Sequence, residues 1–328
     1  MDPAKNPYTL MFGEAPAQII SRASESAQLI NAFCNAEQPQ KIKKMKDWIV
    51  IELNPERDLL HSLAARLNSL DELAAIFREA KINLSFLGLG AEISGAAPIF
   101  DIETALSRML EKIKSKGKRV LVTIDEVTNS EHMRVFAASF QILIRQKLPL
   151  YLLMTGLYEN INKLQNEPSL TFLYRAPKLD LGPLNIRTIA SNYEKNMHLS
   201  DDDANTMALL TRGYSFAFQV LGYYTWEHDG DYRKALEEYR QYLEDYVYDK
   251  IWSELSAKDR ELTHAIAVSD TGKVSDILQI MGIQNNQFSP YRKRLQKKGL
   301  IDTSRFGYLR FTLPQFENYV KSMYMLDM

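Results

Sequence analysis

Asp125 and Glu126 are adjacent acids that end the apolar run in Arg119 to Glu131, RVLVTIDEVTNSE. Held at one edge of a fold, such a pair can bind a hydrated Mg²⁺ through one carboxylate and polarise an attacking water with the other. Val120, Leu121, Val122 and Ile124 form a run too continuous for a one-sided strand, which predicts a parallel strand covered by helices on both faces. Ligands bind at the carboxyl ends of such strands, where these acids fall. A strand whose first polar residues after the core are acidic by chance gives the same pattern, because the motif is short.

A second set of residues points to anions. Tyr291, Arg292, Arg294, Lys297 and Lys298 make one helix strongly basic, and Arg305 and Arg310 add charge in or near a predicted hairpin. A recognition helix offers such residues to phosphates and base edges in the major groove. Basic helix faces are also commonly just solvated, and modules of this shape also bind proteins. Other constellations fail on spacing. His61, His132, His198, His228 and His264 are scattered without cysteine partners, which argues against zinc. Gly88, Gly90 and Gly95 miss the dinucleotide pattern and read as turns. Gly213-Tyr214-Ser215 follows a helix rather than a strand, so it is no nucleophile elbow.

The elements that must position these residues follow from periodicity. Asn6 to Pro16 reads as an extended arm and Ser24 to Ala36 as a helix. Trp48 to Leu53, the acid-bearing strand, Leu148 to Thr155 and Lys178 to Leu181 read as strands, separated by helices through Leu59 to Phe77, Asp101 to Lys116 and His132 to Gln146. That alternation predicts an α/β fold with a mainly parallel sheet. From Asn185 the pattern is helical, through Asp201 to Leu210, Ser215 to Trp226 and Tyr232 to Tyr248. Its aromatic series Tyr214, Phe216, Phe218, Tyr223, Tyr224 and Trp226 reads as core. A capped helix at Ser256, a helix-turn-helix about Gly282 and a hairpin across Ser304 to Gly307 predict a winged helix. Pro290 predicts a second helix capped by Ser289. The expected domains are 1–183, 184–250 and 251–328.

Composition narrows the classes further. The chain has 328 residues, 45% hydrophobic and 25% charged, with net charge -1, so anion binding must be local rather than global. Cys34 is the only cysteine, which excludes an internal disulfide framework. No apolar run is long enough to span a membrane, and the start lacks a signal-peptide core, so the expectation is a soluble cytoplasmic protein.

The order of parts carries a resemblance. A Walker B-like VLVTIDE, a strand ending in Thr155, a helical lid opening with GYSFAFQVLG and a C-terminal winged helix resemble the bacterial and archaeal AAA+ ATPases of the replication-initiator-like type. The resemblance covers nearly the whole chain. It implies ATP and Mg²⁺ as cofactors, Asp125 as the metal-associated acid and Glu126 as the base that orients water. It implies sensor 1 at Thr155 and an arginine finger at Arg175, which a neighbouring subunit of an oligomer would use. Ala15 to Arg22, APAQIISR, resembles the arm that packs on adenine, with Ile19 and Ile20 as apolar contacts and Arg22 at its end. Partners implied are DNA or a protein at the winged helix, with no membrane.

Two departures qualify this. A P-loop needs GxxxxGK followed by Ser or Thr, and the sequence has none. The family's first strand, P-loop and helix lie between the positions of Ala36 and Trp48, where this chain has only EQPQKIKKMKD. Losing a central strand removes more core than a domain of roughly 5 to 15 kcal/mol can spare, so a break in the chain near Gln40 and Lys41 is expected over a true deletion. Phe216 also occupies the place of the sensor 2 arginine. The competing reading is a degenerate, nucleotide-independent DNA-binding or protein-interaction module.

Overall fold

The computed structural model describes residues 1–2, 5–11, 16–34 and 47–326. The expected break near Gln40 and Lys41 lies outside the described residues. Two compact units result, Ser26–Leu179 and a second made of Met1–Glu25 with Asp180–Met328.

In the first unit, β1 (Trp48–Leu53), β2 (Arg119–Ile124) and β3 (Leu150–Met154) form a parallel sheet in the order β1-β2-β3. Leu53, Ile124 and Met154 are in register, so the three strands end together. Helix α1 (Ala23–Cys34) precedes β1 in the chain; α2 (Leu59–Ser69), α3 (Asp71–Glu79) and α4 (Ile102–Ser115) connect β1 to β2, and α5 (Glu131–Arg145) connects β2 to β3. Asp101 caps α4 by accepting from the Thr104 N–H at 2.7 Å, as its place before an apolar-periodic run predicts.

Both-face cover is not what the sheet shows. Val120, Val122 and Ile124 on one face are essentially inaccessible, each contributing about 1.5 to 3 kcal/mol of burial. Their alternates Arg119, Leu121 and Thr123 are only half-buried, and Val50, in register with Leu121, is 61% exposed. The continuous apolar run therefore alternates in burial although it does not alternate in polarity.

The predicted fourth strand at Lys178 to Leu181 is also absent. That stretch is irregular, with Lys178, Asp180 and Leu181 exposed. Pro177, Gly182 and Pro183 bracket it, which leaves too short a run to pair. Before it come α6 (Tyr158–Gln165) and a 3₁₀ segment, Pro168–Arg175.

The second unit is helical: α7 (Ile186–Met197), α8 (Asp201–Leu210), α9 (Ser215–Glu227), α10 (Tyr232–Leu243), a π-helical turn Glu244–Tyr248, α11 (Asp249–Ser253), α12 (Ala257–Val268), α13 (Val274–Met281), α14 (Asn285–Lys297), the hairpin β4 (Ile301–Asp302) with β5 (Arg310–Phe311), and α15 (Phe316–Leu326). The helices expected as a lid and the segment expected as a winged helix, placed in separate domains meeting at 250, share one apolar core. Tyr248 packs edge-on against Phe316, and Arg212 donates to the carbonyls of Phe311 and Leu313 and pairs with Glu317 at 2.6 Å.

The N-terminal arm, expected with the α/β domain, belongs to this helical unit. Tyr8 is 2% exposed, packed among Tyr193 and Phe218, and its hydroxyl donates to Asn192 at 3.0 Å. Gly222 makes the room, because a Cβ there would lie 2.6 Å from the Tyr8 ring. Of the aromatic series expected as core, Phe218 is buried, while Tyr214, Phe216, Tyr223, Tyr224 and Trp226 are half-buried against that core.

Candidate functional site

Asp125 follows the last residue of β2, and Thr155 follows the last residue of β3. Their meeting is a consequence of register: Ile124 pairs with Met154, so the next residue on each strand is a neighbour across the edge. The Thr155 hydroxyl donates to Asp125 Oδ1, and the same oxygen accepts the Glu126 N–H at 2.9 Å. Backbone bonds lock the two loops together, from the Thr155 N–H to the Ile124 carbonyl at 2.9 Å and from the Val127 N–H to the Thr155 carbonyl at 3.0 Å.

Glu126 holds a left-handed backbone, φ 53°. A residue with a Cβ adopts that region at a cost of about 1 kcal/mol. Here it turns the chain sharply enough for Val127 to become buried directly after two exposed acids. Asp125, Glu126, Thr155 and Gly156 all face solvent.

Four supporting residues, Gly156, Asn129, Arg134 and Glu167, were not picked out by sequence reasoning. Gly156 lies against Val127, where an added Cβ would come within 3.1 Å of its side chain and 3.2 Å of its amide nitrogen. Asn129 donates to Glu167, and its backbone carbonyl accepts from Arg134 at 2.8 Å. These contacts tie the loop after β2 to the start of α5 and to the segment before Pro168. A glycine directly after Thr155 was the one legible signal.

Arg175 ends the 3₁₀ segment, exposed and without an ion pair among the described residues. In the arm, Ile20 is 8% exposed within the helical unit's core, whereas Ile19 is 73% exposed. Arg22 pairs with Glu25 at 3.5 Å. Ala15 lies outside the described residues.

These residues fit a magnesium nucleotide in part. One strand-end carboxylate with a hydroxyl beside it suits Mg²⁺, which keeps most of its waters and takes its remaining ligands from phosphates. No cluster of three or more acidic, histidine or cysteine ligands occurs among the described residues. The chain also has no GxxxxGK turn whose amides would cradle phosphates. The metal side of such a site is represented and the phosphate side is not.

In the helical unit, α14 begins earlier than expected. A capping box of Gln284 and Gln287 starts it, Asn285 is its first residue, and Pro290 lies inside. Phe288, fully buried, anchors the turn before the proline, which offsets the backbone bond Pro290 cannot make. Arg292, Lys293, Lys297 and Lys298 are exposed and make no ion pair among the described residues. Lys293 was not singled out from the sequence.

Arg294 differs from its neighbours. Its Nε lies 2.9 Å from both oxygens of Asp259, and its Nη2 lies 2.8 Å from Oδ1. Asp259 is 2% exposed and also takes a bond from Ser256 Oγ at 2.7 Å. Tyr291 is half-buried beneath the Arg294 guanidinium at 5.2 Å. In the hairpin, Arg305 lies over Tyr308 at 3.8 Å, and Arg310 is exposed.

Parallel strands that end together and are joined by helices, with an α-helical unit that carries a short hairpin, make a mixed α/β fold shared with a solved ATPase. Among solved structures, the Walker-type ATPase of Pyrococcus abyssi is similar with a TM-score of 0.60 at 15% identity, over 92% of this chain and 96% of that one. The ORC1 protein of Aeropyrum pernix in complex with DNA is similar with a TM-score of 0.40 at 10% identity, over 94% of each chain. At 15% identity the likeness to the Pyrococcus abyssi ATPase is one of fold. A domain of unknown function (DUF8462) matches residues 245–320, which run from the π-helical turn into α15. No curated protein matches the chain. Among the described residues, no helix is long and apolar enough to cross a membrane.

Proposed function

We propose that this protein binds duplex DNA through α14 and the hairpin wing, on an ATPase-type scaffold. One observation carries the reading. Among the described residues Arg292, Lys293, Lys297 and Lys298 are exposed and unpaired on one helix of a chain whose net charge is -1, while the fifth cation, Arg294, is spent on holding that helix to α12. A helix fastened by one arginine and bristling with four other cations is built to meet an anionic surface. Phosphate neutralisation makes affinity fall with salt, with a log-log slope of about -0.9 per contact. Fluorescence anisotropy of a labelled duplex across KCl concentrations tests this. Replacing Arg292, Lys293 and Lys297 by Ala should lower affinity and flatten the slope by about 2 to 3. Equal slopes for both proteins would remove α14 from the interface.

A second reading, in which nucleotide governs this grip, is favoured by the exposed Asp125 joined to Thr155 at the sheet edge. Asp125 and Thr155 would hold Mg²⁺ and its water shell, and Glu126 would orient the attacking water. The bound magnesium nucleotide would supply the phosphoryl group. In that case Glu126→Gln should leave nucleotide binding intact and slow hydrolysis by roughly 10² to 10⁴. A chain that neither binds nor hydrolyses ATP with Mg²⁺ present leaves the DNA reading standing alone. Self-association and protein partners belong to the same proposal, with Arg175 as the residue offered to a neighbouring subunit.

A further inference from the structure

Phe306 is 99% exposed. A phenylalanine left in water forgoes the burial its ring would gain, so its place at the tip of a backbone-bonded hairpin asks for a partner. The Tyr308 N–H donates to the Arg305 carbonyl at 3.1 Å, which makes Arg305 to Tyr308 a four-residue turn with Phe306 at its corner. Gly307 supplies the positive φ, 78°, that the following corner position requires.

The turn is pinned from behind. The Val274 N–H donates to the Gly307 carbonyl at 2.9 Å, and the Leu309 N–H donates to the Gly272 carbonyl at 2.8 Å. Asp302, the acid of the hairpin, is turned back to accept from the N–H and hydroxyl of Ser304. Arg305 lies over the Tyr308 ring at 3.8 Å, and the exposed Lys273 is bridged to Tyr308, so two cations stand beside the apolar tip. An apolar point on a turn pinned by backbone bonds, with positive charge beside it, suits a surface that is anionic outside and apolar between its layers. Stacked base pairs behind a phosphate backbone are such a surface.

We infer that Phe306 is an apolar wedge for duplex DNA, pressing between base pairs in the minor groove and kinking the duplex while α14 holds the phosphates. This rests on the DNA reading above. The full chain is titrated into a duplex of about 25 base pairs, a length within the range proteins bend, carrying a fluorophore at each end and 2-aminopurine near its centre. The wild type should shorten the end-to-end distance and raise 2-aminopurine fluorescence. Phe306→Ala should bind about 10-fold more weakly, which is ~1.4 kcal/mol, keep the wild-type salt slope, and leave the duplex straight. Phe306→Leu should restore the kink, because a leucine also wedges. If Phe306→Ala binds and bends as the wild type does, the wedge is wrong while the basic helix stands. If the wild type binds no duplex, both readings fall together.

Discussion

Asp125 and Asp259 begin alike and end differently. Each accepts a hydroxyl hydrogen bond, from Thr155 and from Ser256 respectively, and each stands at the end of a regular element. Asp259 is buried at the foot of α12, and a buried carboxylate has to be neutralised by its own chain. Arg294 does so through both carboxylate oxygens. Asp125 is exposed and has no cationic partner among the described residues, so its charge stays available to solvent or a ligand. Burial, more than residue type or neighbour, separates the acid that holds the fold together from the acid that can do chemistry. The same comparison sorts the basic residues of α14, where Arg294 is paired to Asp259 and its four neighbours are exposed without an ion pair among the described residues.

The largest test of that contrast is Arg294→Ala. Removing one partner of a buried ion pair strands the other, which typically costs 3 to 5 kcal/mol. Arg294 is itself 44% exposed, so water relieves part of this and about 2 to 3 kcal/mol is expected by denaturant unfolding. Adding Asp259→Asn should recover much of the loss, because the stranded charge is gone. By contrast, Asp125→Asn should change stability by no more than about 0.5 kcal/mol, as for an exposed site. Similar costs at the two aspartates would end the comparison.

Gly156→Ala comes next and probes how tightly the acid's loop is held. The new Cβ would approach Val127 at 3.1 to 3.3 Å, partly against backbone atoms that cannot rotate away. About 1 to 2 kcal/mol of overpacking is expected, together with weaker hydrogen-exchange protection of the Val127 amide. A variant as stable as wild type, with that amide still protected, would show that the β2 and β3 loops are not jointly clamped.

How far the sequence revealed this depends on whether a signal is local. The three strands, the caps at Asp101 and Ser256 and the turn at Gly282 are written in neighbouring residues, and each appears where periodicity and cap chemistry put it. Asp125 and Thr155 were each legible as residues at a strand end, but their contact comes from the parallel register that makes those ends neighbours. What was missed depends on distant residues. Leu179 has the composition of a strand residue but lies in a run that Pro177, Gly182 and Pro183 cut too short to pair. Tyr8 joins the helical unit because Gly222 leaves a space, and nothing in residues 6–16 records that. Arg294 looks like any cation of its helix until Asp259, far back in the chain, is found beneath it. Pro290 misled because proline rules describe the backbone and not the burial of Phe288 two residues earlier.

The smallest expected effect has the opposite sign and concerns Glu126. Its φ of 53° is one that glycine adopts freely and glutamate does not. The conformation is held by the Val127 amide reaching the Thr155 carbonyl and by its own amide reaching Asp125, so the loops on both strands enforce it. Glu126→Gly should relieve about 1 kcal/mol of strain in the folded chain and lose part of that gain to the greater freedom of glycine in the unfolded one. A net stabilisation of about 0.5 kcal/mol is expected by equilibrium unfolding, whereas Glu126→Ala, which keeps a Cβ, should gain nothing. Finding glycine destabilising would mean that the glutamate side chain contributes to the fold and that its left-handed turn is incidental. Finding the stabilisation would mean that the chain retains a residue its fold would exchange for glycine. Beside an exposed aspartate and threonine, such a cost would fit the proposed role of the carboxylate in orienting water.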